Sequence, residues 1–167
     1  MLENFTTERL ILNALSHNDT AFIHELVNTP EWIRFIGQRH VTNHEDATNY
    51  INRILDNINA DYTTVRLKDS LTPIGVITFL QRDYLPHPDI GFAFLPQFGK
   101  KGYAYEAAKV VLDSLKQVNS HKMLLATTLP DNVNSIHLLE KLNLQFDKEI
   151  SVGEEKLLLY TTSDNGE

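Results

Sequence analysis

Apolar residues recur at two spacings along the chain, and the change from one to the other divides it into elements. Arg9 to Ala14 alternates, with Leu10 and Leu12 on one side, and reads as a first strand. Ser16-His17-Asn18-Asp19 has capping-box spacing, with Asp in place of the usual Glu or Gln. A helix follows, with Phe22, Ile23, Leu26 and Val27 at helical spacing. Thr29-Pro30-Glu31 opens a short helix carrying Trp32, Ile33, Phe35 and Ile36, which ends near Gly37. Thr42-Asn43-His44-Glu45 reads as a full capping box. It opens a helix with Ala47, Tyr50, Ile51, Ile54, Leu55 and Ile58 on its apolar side.

Beyond that helix the runs become short, β-branched and aromatic. Tyr62 to Leu67, Ile74 to Leu80 and Ile90 to Leu95 read as strands, with Pro73 and Gly75 suited to the first turn. Gly102 to Val118 is helical again, through Tyr103, Ala107, Val110, Val111, Leu115 and Val118. Met123 to Thr127 suits a buried strand, Asn134 to Leu142 a short helix, and Phe146 to Ile150 and Lys156 to Thr161 two final strands. This mixture implies an α+β (mixed α/β) fold, a mixed sheet with helices on both faces. No repeat or linker divides the chain, so residues 1–162 read as a single domain and 163–167 as a frayed tail.

Composition narrows the function classes. Fifteen Lys and Arg against 22 Asp and Glu give a net charge of -7, which disfavours non-specific nucleic-acid binding. There is no cysteine, so a disulfide framework, a thiolate metal site and a cysteine nucleophile are excluded. The longest stretch free of charge, Ser70 to Gln81, falls short of the roughly 20 apolar residues of a membrane span. Met1-Leu2-Glu3-Asn4-Phe5 has neither the basic nor the apolar region of a secretory leader. A cytoplasmic protein without membrane attachment is the expectation. His40 and His44 have i, i+4 spacing, but no third ligand accompanies them and no metal site is expected.

One segment carries chemistry. In Phe92-Ala93-Phe94-Leu95-Pro96-Gln97-Phe98-Gly99-Lys100-Lys101-Gly102-Tyr103-Ala104 a strand ends, a loop with two glycines and two lysines follows, and a helix begins. Glycines let backbone N–H groups approach an anion, and a helix start adds partial positive charge. The spacing is neither that of a P-loop nor that of a dinucleotide-binding Gly-x-Gly-x-x-Gly loop. Read alone, the segment fits a phosphate cradle or an ordinary turn with solvated lysines.

Gly99-Lys100-Lys101-Gly102-Tyr103-Ala104-Tyr105-Glu106-Ala107 resembles the pyrophosphate loop of the GNAT superfamily of N-acetyltransferases, and more narrowly its ribosomal-protein N-terminal (alanine) acetyltransferase branch. Two further segments are similar to the same branch: Asn132-Val133-Asn134-Ser135 with Leu139-Glu140-Lys141-Leu142-Asn143-Leu144, and Thr7-Glu8-Arg9-Leu10-Ile11-Leu12. The chain departs from the branch in three places. Gly99 and Lys100 replace its Trp and first Gly, Asn143 replaces a helix-ending Gly, and Asn13 replaces an Arg that often forms an ion pair.

The resemblance implies a GNAT-like central, mostly antiparallel sheet and acetyl-CoA as donor. The strand Ile90 to Leu95 would splay from Met123 to Thr127, so that Phe92, Ala93, Phe94 and Leu95 border the cofactor arm and the Phe94 N–H polarises the thioester carbonyl. Gly99, Lys100, Lys101, Gly102, Tyr103 and Ala104 would hold the pyrophosphate, with Asn132 nearby. Relatives that use a Tyr acid have it where this chain has Leu139, so Ser135 becomes the candidate for the leaving thiolate. Alternatively, Ser135 caps its own helix.

Asp89 would relay a proton from the amine; alternatively it is a solvent-facing carboxylate. His87 and His137 are lesser candidates. Trp32 and Phe35 read as core by spacing, while the resemblance sets their helix beside the acceptor pocket as substrate contacts. The acceptor is a primary amine, either a protein or peptide N-terminus or a small molecule such as a polyamine or antibiotic. A non-catalytic acyl-CoA-binding module and an unrelated phosphate-ligand domain are the rival readings. A monomer or a homodimer is expected.

Overall fold

The computed structural model describes residues 2–118 and 123–163. The elements run β1 (Phe5–Thr6), β2 (Leu10–Ala14), α1 (Thr20–Val27), α2 (Pro30–Phe35), α3 (His44–Leu55), β3 (Ala60–Leu67), β4 (Pro73–Leu80), β5 (Asp89–Phe94), α4 (Tyr103–Gln117), β6 (Leu125–Thr128), α5 (Val133–Lys141), β7 (Leu144–Val152) and β8 (Glu155–Thr162). Eight strands form one sheet in the order β1-β2-β3-β4-β5-β6-β8-β7. Every neighbouring pair is antiparallel except β5 and β6. The mixed sheet expected from the element pattern is therefore present, and it is mostly antiparallel, as the resemblance implies.

Each face of the sheet carries its own core. Leu10, Leu12 and Ile77 pack with Ala107, Val111 and Leu115 of α4 and Leu139 of α5. Val76, next to Ile77, belongs instead to the cluster with Phe22, Ile23 and Leu26 of α1, Trp32 of α2 and Ile51 of α3. Adjacent residues join opposite cores because successive strand side chains alternate faces.

The capping signals set the helix starts. Ser16 accepts from Asn18 N, and Asp19 reaches back to the Ser16 N–H at 3.1 Å, which completes the first box. The second box lies one residue later than the sequence indicates. Asn43 is the cap, accepting from Asp46 N at 2.8 Å, and the Asp46 carboxylate returns to Thr42 N at 2.9 Å. The extended backbone of Asn43 lets its side-chain carbonyl do what the Thr42 hydroxyl was expected to do. Ile58, expected on the apolar side of α3, lies beyond the helix end and is 97% exposed. Strand β1 is too short to leave a period in the sequence and exists by pairing Phe5 with Leu12. Met123 lies outside β6.

Asn13, standing where the branch has an Arg, accepts from Arg66 Nε at 3.2 Å. Arg66 in turn pairs with the buried Asp19, which also accepts from Thr64 Oγ1 at 2.9 Å. Arg66 of β3 thus links Asn13 to a buried carboxylate. Asn143 has φ 65°, the left-handed conformation expected of it at the end of α5. No helix among the described residues is long and apolar enough to cross a membrane. Residues 164–167 of the expected tail lie outside the described residues.

Candidate active site: a parted sheet and a cradle

Strands β5 and β6 touch at one register pair, Asp89 and Leu125, and then part. On the other side, β5 pairs with β4 along its full length, to Gly75 and Phe94. Leu95 N–H donates to Ile74 O at 2.9 Å. By the alternation of an antiparallel ladder, the N–H and C=O groups of Phe94 and Phe92 face the opposite edge, toward the gap. Gly75 makes room for the strand's aromatic ring: a Cβ there would stand 2.4 Å from Phe94 Cδ1.

A cleft of about 720 Å³ follows this edge into the loop and onto α4 and α5. Phe92, Ala93, Phe94, Leu95, Gly99, Lys100, Gly102, Tyr103, Ala104 and Asn132 all line it. Lys101 does not. Its carbonyl accepts from an Arg9 side-chain N–H at 2.9 Å, and its ammonium lies 5.8 Å from the Phe98 ring centroid. The conformational freedom expected at Gly99 sits one residue later: Gly99 is extended (φ -70°), and Lys100 takes φ 60°. Gly102 is left-handed at φ 80°, and the first helical hydrogen bond runs from Glu106 N to Gly102 O at 3.0 Å. The N–H groups of Tyr103, Ala104 and Tyr105 are therefore the free donors of the helix start. Lys141, not singled out from the sequence, also lines the cleft, with its ammonium 4.2 Å from the Tyr105 ring centroid.

The loop is clamped from the chain's start. Arg9 Nε donates to Glu106 Oε1 at 2.8 Å, Thr7 Oγ1 to Glu106 Oε2 at 2.6 Å, and the Arg9 guanidinium lies 4.4 Å from the Tyr103 ring centroid. Burial pushes the Glu106 carboxyl up, but the hydrogen bonds from Thr7 and Arg9 outweigh it and hold it below its ordinary range. Thr7-Glu8-Arg9 carried a likeness in the sequence without a role, and the clamp supplies one.

A second cavity, about 290 Å³, continues beyond the gap. Trp32, Phe35, Phe92, Ala93, Asn132 and Ser135 line both cavities and mark their junction. Trp32 is also core, 4% exposed and packed in the cluster with α1 and α3. Asn132 caps α5 by accepting from Ser135 N at 3.3 Å. Capping thus falls to Asn132, and the Ser135 hydroxyl has no protein partner among the described residues. Leu139, 1% exposed, lines the second cavity and offers no acid.

Asp89 lines that cavity too, but it is buried rather than facing solvent, and Arg82 Nε holds both its oxygens at 3.2 and 3.0 Å. Burial raises its pKa, and Arg82 offsets this only in part. Burial likewise pushes the Tyr62 hydroxyl, beside Tyr50, far above its ordinary pKa. His87 and His137 line neither cavity. No group of three His, Asp or Glu that could hold a metal occurs among the described residues.

Comparison with known proteins agrees with this architecture. The Acetyltransferase (GNAT) domain family matches residues 9–145. The uncharacterized N-acetyltransferase YnaD of Bacillus subtilis (strain 168) is 30% identical over 157 residues, 91% of each chain. A GNAT-family acetyltransferase structure from Bacillus anthracis superposes with TM-score 0.81 at 25% identity, covering 98% of this chain and 100% of that one. A ribosomal-protein-S5-alanine acetyltransferase from Vibrio fischeri has TM-score 0.81 at 17% identity, covering 98% and 97%. It is one of several structures sharing the fold, so the comparisons do not single out the narrower branch. The chain belongs to the GNAT family of acetyltransferases.

Proposed function

We propose that the protein is an acetyl-CoA-dependent N-acetyltransferase acting on the α-amine of a protein or peptide N-terminus in the cytoplasm, with residues 1–162 as its one domain. The observation that carries this reading is the continuous path from the parted β5 edge, through the Lys100–Tyr105 loop, to the cavity junction at Ser135.

The residues suit a CoA-type ligand. The outward N–H and C=O groups of Phe92 and Phe94 match an extended, amide-bearing arm, and the free N–H groups of α4, with Lys100 and Lys141, match a diphosphate. Acetyl-CoA supplies the acyl group as a thioester. The Phe94 N–H donates to its carbonyl oxygen as charge develops there. The Ser135 hydroxyl donates to the departing sulfur, directly or through water. Asp89, held in the cavity wall by Arg82, receives the amine proton through water.

Amine acidity selects the acceptor. Freeing a neutral lysine at pH 7 costs about 4.6 kcal/mol, and an α-amine only about 1 to 1.4. A site whose one buried carboxylate is already engaged by an arginine suits the less basic amine. The test is thiol release from acetyl-CoA with short peptides bearing free N-termini, against the same peptides N-blocked and carrying one lysine, at pH 7 and pH 9. Faster turnover of the free N-termini at pH 7, with a smaller gap at pH 9, is expected. A preference for blocked lysine at pH 7 overturns the acceptor assignment. Turnover of only a polyamine or an aminoglycoside assigns a small-molecule acceptor instead.

A further inference from the structure

Trp32 and Arg39 line the second cavity, and among the described residues neither the indole N–H nor the guanidinium has an acceptor. The Trp32 indole Nε1 is the buried side-chain polar atom without a partner among the described residues. A donor sealed from water and left unpaired is costly, and native proteins keep few of them. Arg39, half-buried in the same wall, holds its guanidinium 5.9 Å from the Trp32 ring centroid and enters no ion pair among the described residues. Its loop is constrained to this arrangement. Gln38 Oε1 accepts the N–H groups of Arg39 at 3.0 Å and His40 at 3.1 Å, and Gly37 and His40 both take positive φ.

The remaining charges in that wall are accounted for. Arg82 is committed to Asp89, and Glu155 is exposed at the rim. The cavity therefore presents unpaired donors and no unpaired buried carboxylate. That arrangement does not match an acceptor with several cationic amines. It matches one with an anionic oxygen group near its reacting nitrogen, since a guanidinium binds carboxylates well.

We propose that the acceptor carries a carboxylate beside its reacting amine, and that the Arg39 guanidinium and the Trp32 indole N–H bind it. This rests on the α-amine reading above and names the group next to that amine. The carboxylate could come from an acidic side chain at the start of a peptide or from the α-carboxylate of a free amino acid.

The test compares kcat/KM within two pairs: peptides beginning with Glu and with Gln, and free alanine and alaninamide. We expect the acidic member of one pair to be favoured by about tenfold or more, and that pair identifies the source. Arg39→Gln brings the ratio near one, and Arg39→Lys restores part of it. Acetyl-CoA affinity and melting temperature report that the variants are folded. Equal or better turnover of both neutral members, or a preference that survives in Arg39→Gln, overturns the proposal. Peptides acetylated without preference for acids overturn this proposal alone, whereas spermidine outcompeting every α-amine overturns the α-amine reading with it. If no amine turns over, the CoA-saturated protein is titrated with N-acetylglutamate and with its diamide. Tighter binding of the acid, lost in Arg39→Gln, supports the proposal; equal binding, or none, overturns it.

Discussion

Arg9 Nε lies 2.8 Å from Glu106 Oε1, which ties the start of β2 to the first turn of α4 across 97 positions of sequence. The same carboxylate takes Thr7 Oγ1 and the Arg9 backbone N–H, so three donors converge on it. The cradle loop is thereby fixed to the sheet before any ligand arrives.

Glu106→Ala leaves those donors without their acceptor and is expected to lower stability by about 1 to 3 kcal/mol. Chemical denaturation measures it. The Glu106 carboxyl lies below its ordinary range when folded, so its contribution is complete above the unfolded pKa, about 4.3, and fades as pH falls through the folded value. Wild type and Glu106→Gln should therefore converge in stability on acidification. A gap that persists unchanged at low pH contradicts the clamp.

Lys100 adopts φ 60°, a conformation that glycine takes without steric cost. Lys100→Gly is expected to raise stability by about 0.5 to 1 kcal/mol, the relief of that strain less the added freedom of the unfolded chain. Thermal unfolding of the two proteins decides it, and a destabilised variant contradicts the assigned loop conformation.

Much of this arrangement could be read in the sequence, for definite reasons. Strand and helix periods located β2 to β8 and α1 to α5 because both cores need alternating or helical apolar faces. The segment from Phe92 to Ala104 stood out because a strand, a glycine-bearing loop and a helix start are consecutive, but only the resemblance to the GNAT superfamily tied it to a cofactor. The exceptions, Lys101 and the exchange of roles between Gly99 and Lys100, depend on which φ each residue adopts, and composition does not set that. Arg39, Arg82 and Lys141 escaped notice because a charged residue gains meaning from its neighbours in space. Arg82 stands seven positions before Asp89, across the β4–β5 turn, and only the turn brings the two together. The capping of α5 by Asn132 rather than Ser135 was a choice between two competent side chains, settled by backbone geometry.

That division of labour on α5 predicts opposite phenotypes. Asn132→Ala removes the cap and is expected to cost about 1 kcal/mol of stability. Ser135→Ala is expected to lower kcat by about tenfold or more with little change in CoA affinity, as for an interaction made mainly in the transition state. Steady-state kinetics beside calorimetric titration separates the two. Normal kcat in Ser135→Ala removes the hydroxyl from the mechanism.

The pairing of Asp89 with Arg82 predicts a pH signature. Log kcat/KM against pH has unit slope where only the α-amine must lose a proton, and steepens toward two where Asp89 must as well. Burial raises the Asp89 pKa, and Arg82 opposes the rise, so Arg82→Met should move the steepening to higher pH. Asp89→Asn should abolish it. A profile identical in all three proteins contradicts the relay.

If the cleft beside the parted strands holds CoA, the turn at Gly102 has no room for a side chain. At φ 80°, with Arg9 Nη2 3.3 Å from where a Cβ would stand, a β-branched side chain strains the turn and blocks the helix start. Calorimetric titration of CoA into wild type and Gly102→Val is the measurement. A loss of about 2 kcal/mol or more of binding free energy is expected in a variant whose circular dichroism remains that of the folded protein. Undiminished CoA affinity in folded Gly102→Val would contradict it.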